Sequence, residues 1–297
     1  MLNSTALLLE DSYRYCAYVT RTRARNFHYG LRLLPPEKRR ALYAIYTFMR
    51  GCDDLADEAP LERRAEGLWI LRRHLEDALQ GITTAAPVLP AFHDAVTRYR
   101  IPGEYLHAVI DGAEMDLRTT RYPTFAALRE YCYRVASAVG LVCIHVWGFQ
   151  GEAACRQAEA CGIAFQLTNI LRDVREDADR GRVYLPQEDL ERFGCSEADL
   201  LDGRHNERRL ALMRFEAARA RDYYHQARGL LSLISPDSRP CLAAMAGIYE
   251  GLLDHLERAR FPVQGSRARL STGRKLAIAL RAWWRYRDRG GEPPSAP

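Results

Sequence analysis

Apolar residues recur at three- and four-residue intervals along almost the whole chain, and the period-two alternation of half-buried strands is essentially absent. This spacing predicts amphipathic helices separated by turns such as "IPG", "SPDSRP" and "FPVQG". The predicted helices cover 36–58, 61–80, and about 88–100, 103–120, 124–149, 152–178, 187–201, 206–233, 237–259 and 267–286. We therefore predict a single all-α domain of ten or more helices over 1–289, followed by a disordered tail over 290–297.

Composition narrows the class of protein. The 297 residues are 47% hydrophobic and 27% charged, as in ordinary soluble domains, and a net charge of +5 does not indicate nucleic-acid binding. The eight cysteines are scattered without a C-x-x-C pair, so we expect neither a disulfide framework nor a zinc site, and a cytoplasmic, reducing compartment fits best. We expect no signal peptide, and the apolar run over 135–149 is too short to span a bilayer, which predicts a buried helix.

The sequence "CDDLADE", residues 52–58, places four acids at the end of a very apolar segment. Asp53 and Asp57 are four residues apart and would project from one face of a helix, and Asp54 and Glu58 form a second pair on an adjacent stripe. Carboxylates at this spacing repel one another unless they have partners. Carboxylate oxygens are ligands that Mg²⁺ prefers, and Mg²⁺ typically takes one or two of them together with substrate phosphates.

A second acidic stripe lies more than a hundred residues further along, on a predicted helix with apolar neighbours. Asn169, Asp173 and Asp177 follow one another at i, i+4 and i+8. Two such stripes can face each other across a cavity, where metal ions would offset the repulsion. The arginines that accompany the two motifs are Arg50, Arg172, Arg175 and Arg182. Carboxylates, metal ions and arginines in one cavity describe a diphosphate site.

Apolar and aromatic residues near these acids indicate the rest of the ligand. They are Phe27, Tyr29, Tyr43, Tyr46, Phe48, Val135, Ala136, Val139, Leu141 and Phe165. An apolar tunnel that ends at a metal-bound diphosphate suits a prenyl diphosphate, because burying an isoprenoid chain is favourable by about 0.8 kcal/mol per CH₂. Loss of diphosphate would leave an allylic carbocation, which a dry aromatic wall would shield and stabilise.

Other features have plainer explanations. For Asp116, in the acidic patch "DGAEMD", we expect a solvated face or a structural salt bridge rather than a place in the site. The histidines show no ligand spacing, and we expect the cysteines to serve packing. The segment 267–289 holds eight Lys or Arg against one acid and includes Trp283 and Trp284. Peripheral contact with an anionic membrane and an ordinary packed last helix with solvated arginines both fit this segment.

Two motifs, "YAIYTFMRGCDDLADE" and "QLTNILRDVREDADRGRVYLP", together resemble those of the squalene/phytoene synthase family, whose members condense prenyl diphosphates head to head. The resemblance extends from about "NFHYGLRLLP" to "IYEGLLDHLERARFPV". It implies the class I isoprenoid synthase fold, with one all-α domain around a central cavity. It also implies that Mg²⁺, or Mn²⁺ in its place, binds at Asp53, Asp54, Asp57, Asn169, Asp173 and Asp177.

The resemblance implies further roles for individual residues. The residues expected to contact the diphosphate or the rearranging cation, and so to be catalytic, are Tyr46, Arg50, Tyr131, Arg172 and Tyr184. The residues expected to bind the prenyl chain, from the lining above and from family positions, are Phe27, Tyr29, Val135, Ala136, Gln166 and Tyr249. One departure is Asn26, where many members have Ser before the Phe, so roles are not transferred in detail over 22–28.

The sequence favours one activity and leaves alternatives open. Our first expectation is a bacterial enzyme that joins two farnesyl diphosphates into presqualene diphosphate, with squalene, made with NADPH, or hydroxysqualene as onward products. The alternative is a phytoene synthase that joins two geranylgeranyl diphosphates, and tunnel depth would separate the two. A catalytically silent assembly protein fits less well because the acids of both motifs are intact, and a chain-elongating or cyclising synthase fits less well because of "GRVYLP". The sequence gives no basis for an oligomeric state.

Overall fold

The computed structural model describes residues 2–24, 27–57, 60–201, 206–263 and 267–286. Within these ranges, the side chains of 2–7, 27, 52–57, 61 and 62 lie outside the description. The predicted tail over 290–297 also lies outside the described residues, so its disorder stays a prediction.

Helices make up most of the described chain. They are α1 (Leu2–Arg23), α2 (Phe27–Leu31), α3 (Pro36–Asp57), α4 (Leu61–Leu79), α5 (Leu89–Arg98), α6 (Gly103–Arg118), α7 (Phe125–Cys132), α8 (Ala138–Trp147), α9 (Gly151–Asp179), α10 (Gln187–Arg192), α11 (Glu197–Leu201), α12 (Glu207–Ala227), α13 (Leu230–Leu233), α14 (Arg239–Arg258) and α15 (Thr272–Tyr286). A π-helical turn, Tyr133–Ser137, joins α7 to α8. The described ranges contain no strand and only two isolated bridges, which confirms the all-α prediction.

Several helix boundaries differ from the predicted ones, and α1 and α2 lie ahead of the first predicted helix. The segment predicted as one helix over 206–233 forms α12 and α13, which are separated at Arg228 and Gly229. A Cβ at Gly229 would lie 2.7 Å from Oε1 of Gln157, so a larger residue there would displace the end of that side chain on α9. The last helix begins at Thr272 rather than 267, and Leu270 before it packs into the core.

The apolar run over 135–149 lies in the π-helical turn and α8, largely buried as predicted. Among the helices that the structure describes, none has the length and apolarity needed to cross a bilayer.

Two apolar cores stabilise the fold, and α9 runs through both. The first core packs α1, α3, α5, α6 and α8 against the beginning of α9, which contributes Ala154 and Ala158. The second core packs α7, α10, α11 and α12 against the later part of α9, which contributes Ile163 and Leu167. Phe165 packs against both cores. A fully buried side chain such as Ile163 contributes roughly 1.5–3 kcal/mol, so α9 is held firmly along its length.

Glycines allow α6 and α9 to press closely on the π-helical turn. A Cβ at Gly162 would lie 2.5 Å from Cα of Ser137, and one at Gly112 would lie 2.6 Å from Cγ1 of Val135. Side chains at these two positions would push the helices apart. π-helical turns occur frequently at functional sites. Here the turn holds Val135 and Ala136 at the wall of an internal cavity.

A buried charge cluster joins α12 to α10. Nη1 of Arg219 donates hydrogen bonds to both carboxylate oxygens of Glu216, at 2.9 and 2.8 Å, and to Oδ2 of Asp189 at 2.8 Å. The side chain of Glu216 is only 2% exposed. Burial raises the pKa of Glu216 to about 8, and although Arg219 opposes this shift, nearby Asp189 adds to it. One guanidinium therefore serves two carboxylates.

We expect the substitution Glu216→Gln to flatten the pH dependence of stability. The folded-state pKa of Glu216 lies above its ordinary value of 4.5, so its contribution to stability is fully present below that value and is lost as pH rises towards about 8. Glutamine cannot ionise, yet its amide can accept from Arg219 and donate to Asp189. Relative to wild type, the free energy of unfolding of the variant should rise by roughly 3–4 kcal/mol between pH ~5 and ~8.

Urea denaturation across this pH range measures the effect. The control is Glu191→Gln, because Glu191 is exposed and its substitution should leave the profile unchanged. Parallel profiles for wild type and Glu216→Gln would contradict this account of the cluster.

Candidate functional site

A cavity of about 430 Å³ lies between the two cores. Its walls come from α3, α6, the π-helical turn, α8, α9 and α14. The predicted site residues that line it are Tyr46, Arg50, Tyr131, Val135, Ala136, Gln166, Asn169, Arg172, Asp173, Asp177, Tyr184 and Tyr249. The structure thus brings together most of the predicted residues, from several helices that are distant in sequence.

The remaining predicted site residues have other positions. The side chains of Phe27, Asp53, Asp54 and Asp57 lie outside the described residues, although the backbone of the three aspartates continues α3 to its end. Tyr29 is not among the residues that line the cavity. It packs beside the second core, and Nζ of Lys275 lies 5.9 Å from the centroid of its ring. The roles of these residues in metal or substrate binding stay predictions.

Four residues expected near the ligand lie elsewhere, and one of them, Tyr43, is partly buried against the first core rather than in the cavity lining. Phe48 is buried in the first core and stacks on Phe92 at 4.1 Å between ring centroids, and Leu141 is buried in the same core. Only one side of a helix can face the cavity, and these two residues lie on other sides of α3 and α8. Arg175 is exposed and its Nε donates to Asp179 at 3.0 Å, so it does not line the cavity.

The cavity changes from apolar to charged along α9. Its lining residues on this helix begin with Ala158, Cys161 and Gly162 and end with Asp173 and Asp177. At a rise of 1.5 Å per residue, Ala158 and Asp173 are separated by about 22 Å along the helix axis. On α3 the same order recurs, from Leu42 to Arg50. The cavity therefore suits an extended amphiphile with an anionic head.

Asp173 lies between two arginines. Nε and Nη2 of Arg172 donate to its two carboxylate oxygens at 2.7 and 2.5 Å, and Nε and Nη2 of Arg267 do so at 2.6 and 2.5 Å. Burial alone would raise the pKa of Asp173. The hydrogen bonds from Arg172 and Arg267 outweigh burial, and the pKa lies below its usual range. Asp173 is therefore ionised at neutral pH, with two guanidiniums at the charged end of the cavity.

The donor set of the second motif fits a hard divalent cation. Burial, and then the nearby charge of Asp173, raise the pKa of Asp177 to about 7. Oδ1 of Asn169, one turn before Asp173, is buried and accepts no hydrogen bond from the described residues. A cation would satisfy that amide oxygen and favour the ionised form of Asp177. The described side chains contain no group of three His, Cys, Asp or Glu around one metal position. The fit to a divalent cation therefore depends on Asn169, Asp173 and Asp177 of the second motif.

Asp116 faces the cavity, contrary to our expectation of a solvated face or salt bridge. The hydroxyl of Tyr184 donates to its Oδ1 at 2.7 Å, and the hydroxyl of Tyr131 donates to its Oδ2 at 3.0 Å. Burial and the charge of Asp116 raise the pKa of both tyrosines, so both hydroxyls stay protonated. The signal that could have found Asp116 is its helical spacing from Val109 and Ala113, which line the same cavity.

Sequence reasoning also missed Arg267. It belongs to the basic segment that we considered for membrane contact, yet it donates to Asp173 and pairs with Glu176 at 3.3 Å. Arg267 and Asp173 are 94 residues apart, and no local spacing connects them. Arg180 and Arg182 line the same end of the cavity. This end therefore combines carboxylates, which can hold cations, with guanidiniums, which can hold phosphate oxygens.

Comparisons with known proteins agree with this geometry. The family model for squalene/phytoene synthase matches residues 20–274. A 15-cis-phytoene synthase of Synechocystis sp. is 39% identical, with 93% of this chain and 86% of that protein covered. A phytoene synthase of Mycobacterium tuberculosis is 40% identical, with 92% and 91% covered.

Two solved structures superimpose closely. A dehydrosqualene synthase in complex with ligand has a TM-score of 0.87 at 29% identity, with 94% of this chain and 98% of that one covered. The squalene synthase HpnC from Alicyclobacillus acidocaldarius has a TM-score of 0.81 at 28% identity, with 86% and 96% covered. These matches confirm the predicted isoprenoid synthase fold and the predicted prenyltransferase class. The chain belongs to the squalene/phytoene synthase family.

Proposed function

We propose that the protein condenses two geranylgeranyl diphosphates head to head into a phytoene-type hydrocarbon, with Mg²⁺ or Mn²⁺ as cofactor. The observation that carries this proposal is that, within one cavity, a long apolar wall leads to the charged cluster around Asp173. Our first expectation from the sequence was farnesyl diphosphate. We now choose geranylgeranyl diphosphate because the relatives at 39–40% identity bear the name phytoene synthase.

The charged end of the cavity would bind the diphosphates. Arg172 and Arg267 donate to the carboxylate of Asp173 at this end. Arg50 and Arg182 line the same cavity. Several guanidiniums can therefore donate to phosphate oxygens. The residues that would hold a divalent cation are Asn169, Asp173 and Asp177, together with Asp53, Asp54 and Asp57 of the first motif. When bound, the cation neutralises diphosphate and makes it a better leaving group.

The apolar wall would protect the carbocation. After the first diphosphate leaves, an allylic cation remains. The C2–C3 double bond of the second substrate attacks it, and loss of a proton closes the ring of a cyclopropylcarbinyl diphosphate. Departure of the second diphosphate, rearrangement of the resulting cation and loss of a further proton then give the phytoene-type hydrocarbon. Phe165 and Tyr249 stack at 4.3 Å between ring centroids and line the cavity. Their faces can stabilise a nearby cation, and their bulk excludes water that would capture it.

Tyr131 and Tyr184 would both contact the carbocation, and their orientation is fixed. Their rings stack at 5.1 Å between centroids, and Asp116 accepts a hydrogen bond from each hydroxyl. The hydroxyl protons are thereby directed to Asp116. The phenolic oxygens and ring faces remain to contact the rearranging cation, while Asp116 acts as a positioning residue.

The runner-up is the condensation of two farnesyl diphosphates to presqualene diphosphate, squalene or hydroxysqualene. The likeness to solved structures of a dehydrosqualene synthase and a squalene synthase supports it. NADPH would be required only for squalene, because a phytoene-type product forms by proton loss without a reductant. The third hypothesis is a catalytically silent assembly protein.

We also propose a cytoplasmic location, which rests on the scattered spacing of the cysteines.

A substrate panel tests the proposed activity. Purified protein receives geranylgeranyl diphosphate, farnesyl diphosphate or both, with Mg²⁺ and with or without NADPH, and mass spectrometry identifies the products. We expect a forty-carbon hydrocarbon without NADPH, a kcat/KM at least about tenfold higher for the longer substrate, and no turnover after chelation. A dominant thirty-carbon product would favour the runner-up, and no turnover with either substrate would favour the silent protein.

Asp173→Asn tests the charged cluster. We expect turnover to fall roughly 10²–10³-fold, because the ionised carboxylate that organises the arginines and the cation site is lost. Asp179→Asn is the matched control on the same helix, since Asp179 is 61% exposed and pairs with Arg175, which is also exposed. Turnover by Asp173→Asn within twofold of the control would refute the role of Asp173.

Asp116→Asn tests the orientation of the two tyrosines. We expect kcat to fall about tenfold or more with KM little changed, because a misplaced tyrosine affects the reacting cation more than substrate binding. Asp111→Asn makes the same chemical change on α6, where Asp111 accepts from Arg72 at 2.7 Å outside the cavity lining. Equal kcat values for the two variants, with equal melting temperatures, would rule out a positioning role for Asp116.

A further inference from the structure

The last helix, α15, packs on the protein through a narrow face of small residues. Ala279 and Ala282 are buried and form a small core with Ala244 of α14. Gly247 and Gly251 of α14 lie opposite Ile278, and a Cβ at Gly247 would be 2.9 Å from its Cγ2. The close approach of the two helices leaves most of the circumference of α15 facing outward.

A second face of α15 exposes large apolar side chains. Leu276, Leu280, Trp283 and Trp284 are 47%, 64%, 41% and 72% exposed, respectively. Their positions at i, i+4, i+7 and i+8 place them on one stripe of the helix. Four such side chains within nine residues form a contiguous apolar patch, which on a protein surface marks an interaction site. We call it the α15 apolar face.

A third face of α15 is basic. Arg274, Arg281 and Arg285 are exposed and follow one another at i, i+7 and i+11, which is a single stripe beside the α15 apolar face. The helix Thr272–Tyr286 contains no acidic residue. The positive charge of this face is therefore not neutralised within the helix itself.

We propose that the α15 apolar face inserts into the interface of an anionic lipid bilayer, with its arginines on the phosphate headgroups. An apolar stripe flanked by a basic one is the pattern of helices that lie in the plane of a membrane. Tryptophan favours the interfacial region, where its ring is in contact with lipid and its N–H with water. A second copy of the chain fits less well, because two basic stripes would be brought together and would repel one another.

The beginning of α15 lies beside the charged end of the cavity. Arg267, five residues before Thr272, holds Asp173, and Lys275 faces the ring of Tyr29. Adsorption through α15 would therefore hold the charged end near the headgroups. If the protein acts on prenyl diphosphates, as proposed above, this placement serves substrates that reside in the membrane. This last point rests on the proposed function, whereas the membrane contact does not.

Vesicle binding by the full chain without substrate tests the proposal. Co-sedimentation is measured with phosphatidylcholine vesicles and with vesicles containing roughly one-third phosphatidylglycerol, in about 0.1 M NaCl. We expect at least about tenfold stronger partitioning onto the anionic vesicles. Leu280→Ser combined with Trp284→Ser should weaken this partitioning about tenfold or more, and Arg281→Gln combined with Arg285→Gln should remove most of the preference for anionic lipid.

The matched control is Trp69→Ser. Trp69 is 59% exposed on α4, away from α15 in the chain, and its loss should change partitioning less than twofold. Circular dichroism verifies that each variant is folded. The proposal is overturned if wild type does not bind anionic vesicles, or if the Leu280→Ser and Trp284→Ser variant binds as wild type does. It is also overturned if light scattering shows a dimer that this variant converts to monomer, because the face would then bind a second copy.

Discussion

The acidic end of α9 requires positive charge around its buried carboxylates. The last turn of this helix contains no basic residue, and Asp173 and Asp177 lie near the end where the helix dipole is itself negative. Burial adds to the cost of ionising them. Arg172 and Arg267 supply part of this positive charge and donate four hydrogen bonds to Asp173. The same need makes this end of the cavity a place for cations and for the diphosphate that accompanies them.

The other end of α9 gives the cavity its apolar depth. This helix continues without a break for 29 residues, so the charged cluster and the apolar wall are parts of one rigid element. Gly162 and Gly112 let α9 and α6 close on the π-helical turn, which brings Val135 and Ala136 to the wall. A long amphiphile fits both parts of the cavity, because its anionic head would pair with the arginines and its apolar chain would pack along α9.

Features that depend on local spacing could be predicted from the sequence. The stripe of Asn169, Asp173 and Asp177 is such a feature, since the helical repeat alone puts these residues on one face, and most of the helices were predicted for the same reason. Contacts between distant segments could not be predicted. Arg267 was grouped with a solvated basic segment, and Asp116 was assigned to the surface, because their partners lie in distant segments of the chain. Phe48 was placed near the ligand, although its stacking on Phe92 turns it into the core.

A crystal structure with Mg²⁺ and the thiolodiphosphate analogue of geranylgeranyl diphosphate would test the proposed binding mode most directly. Such an analogue binds as substrate does but ionises slowly. We expect the diphosphate to lie among Arg172, Arg267 and the carboxylates of α9, with the prenyl chain extending along α9 towards Ala158. A diphosphate bound away from α9, or a prenyl chain outside the cavity, would contradict this binding mode.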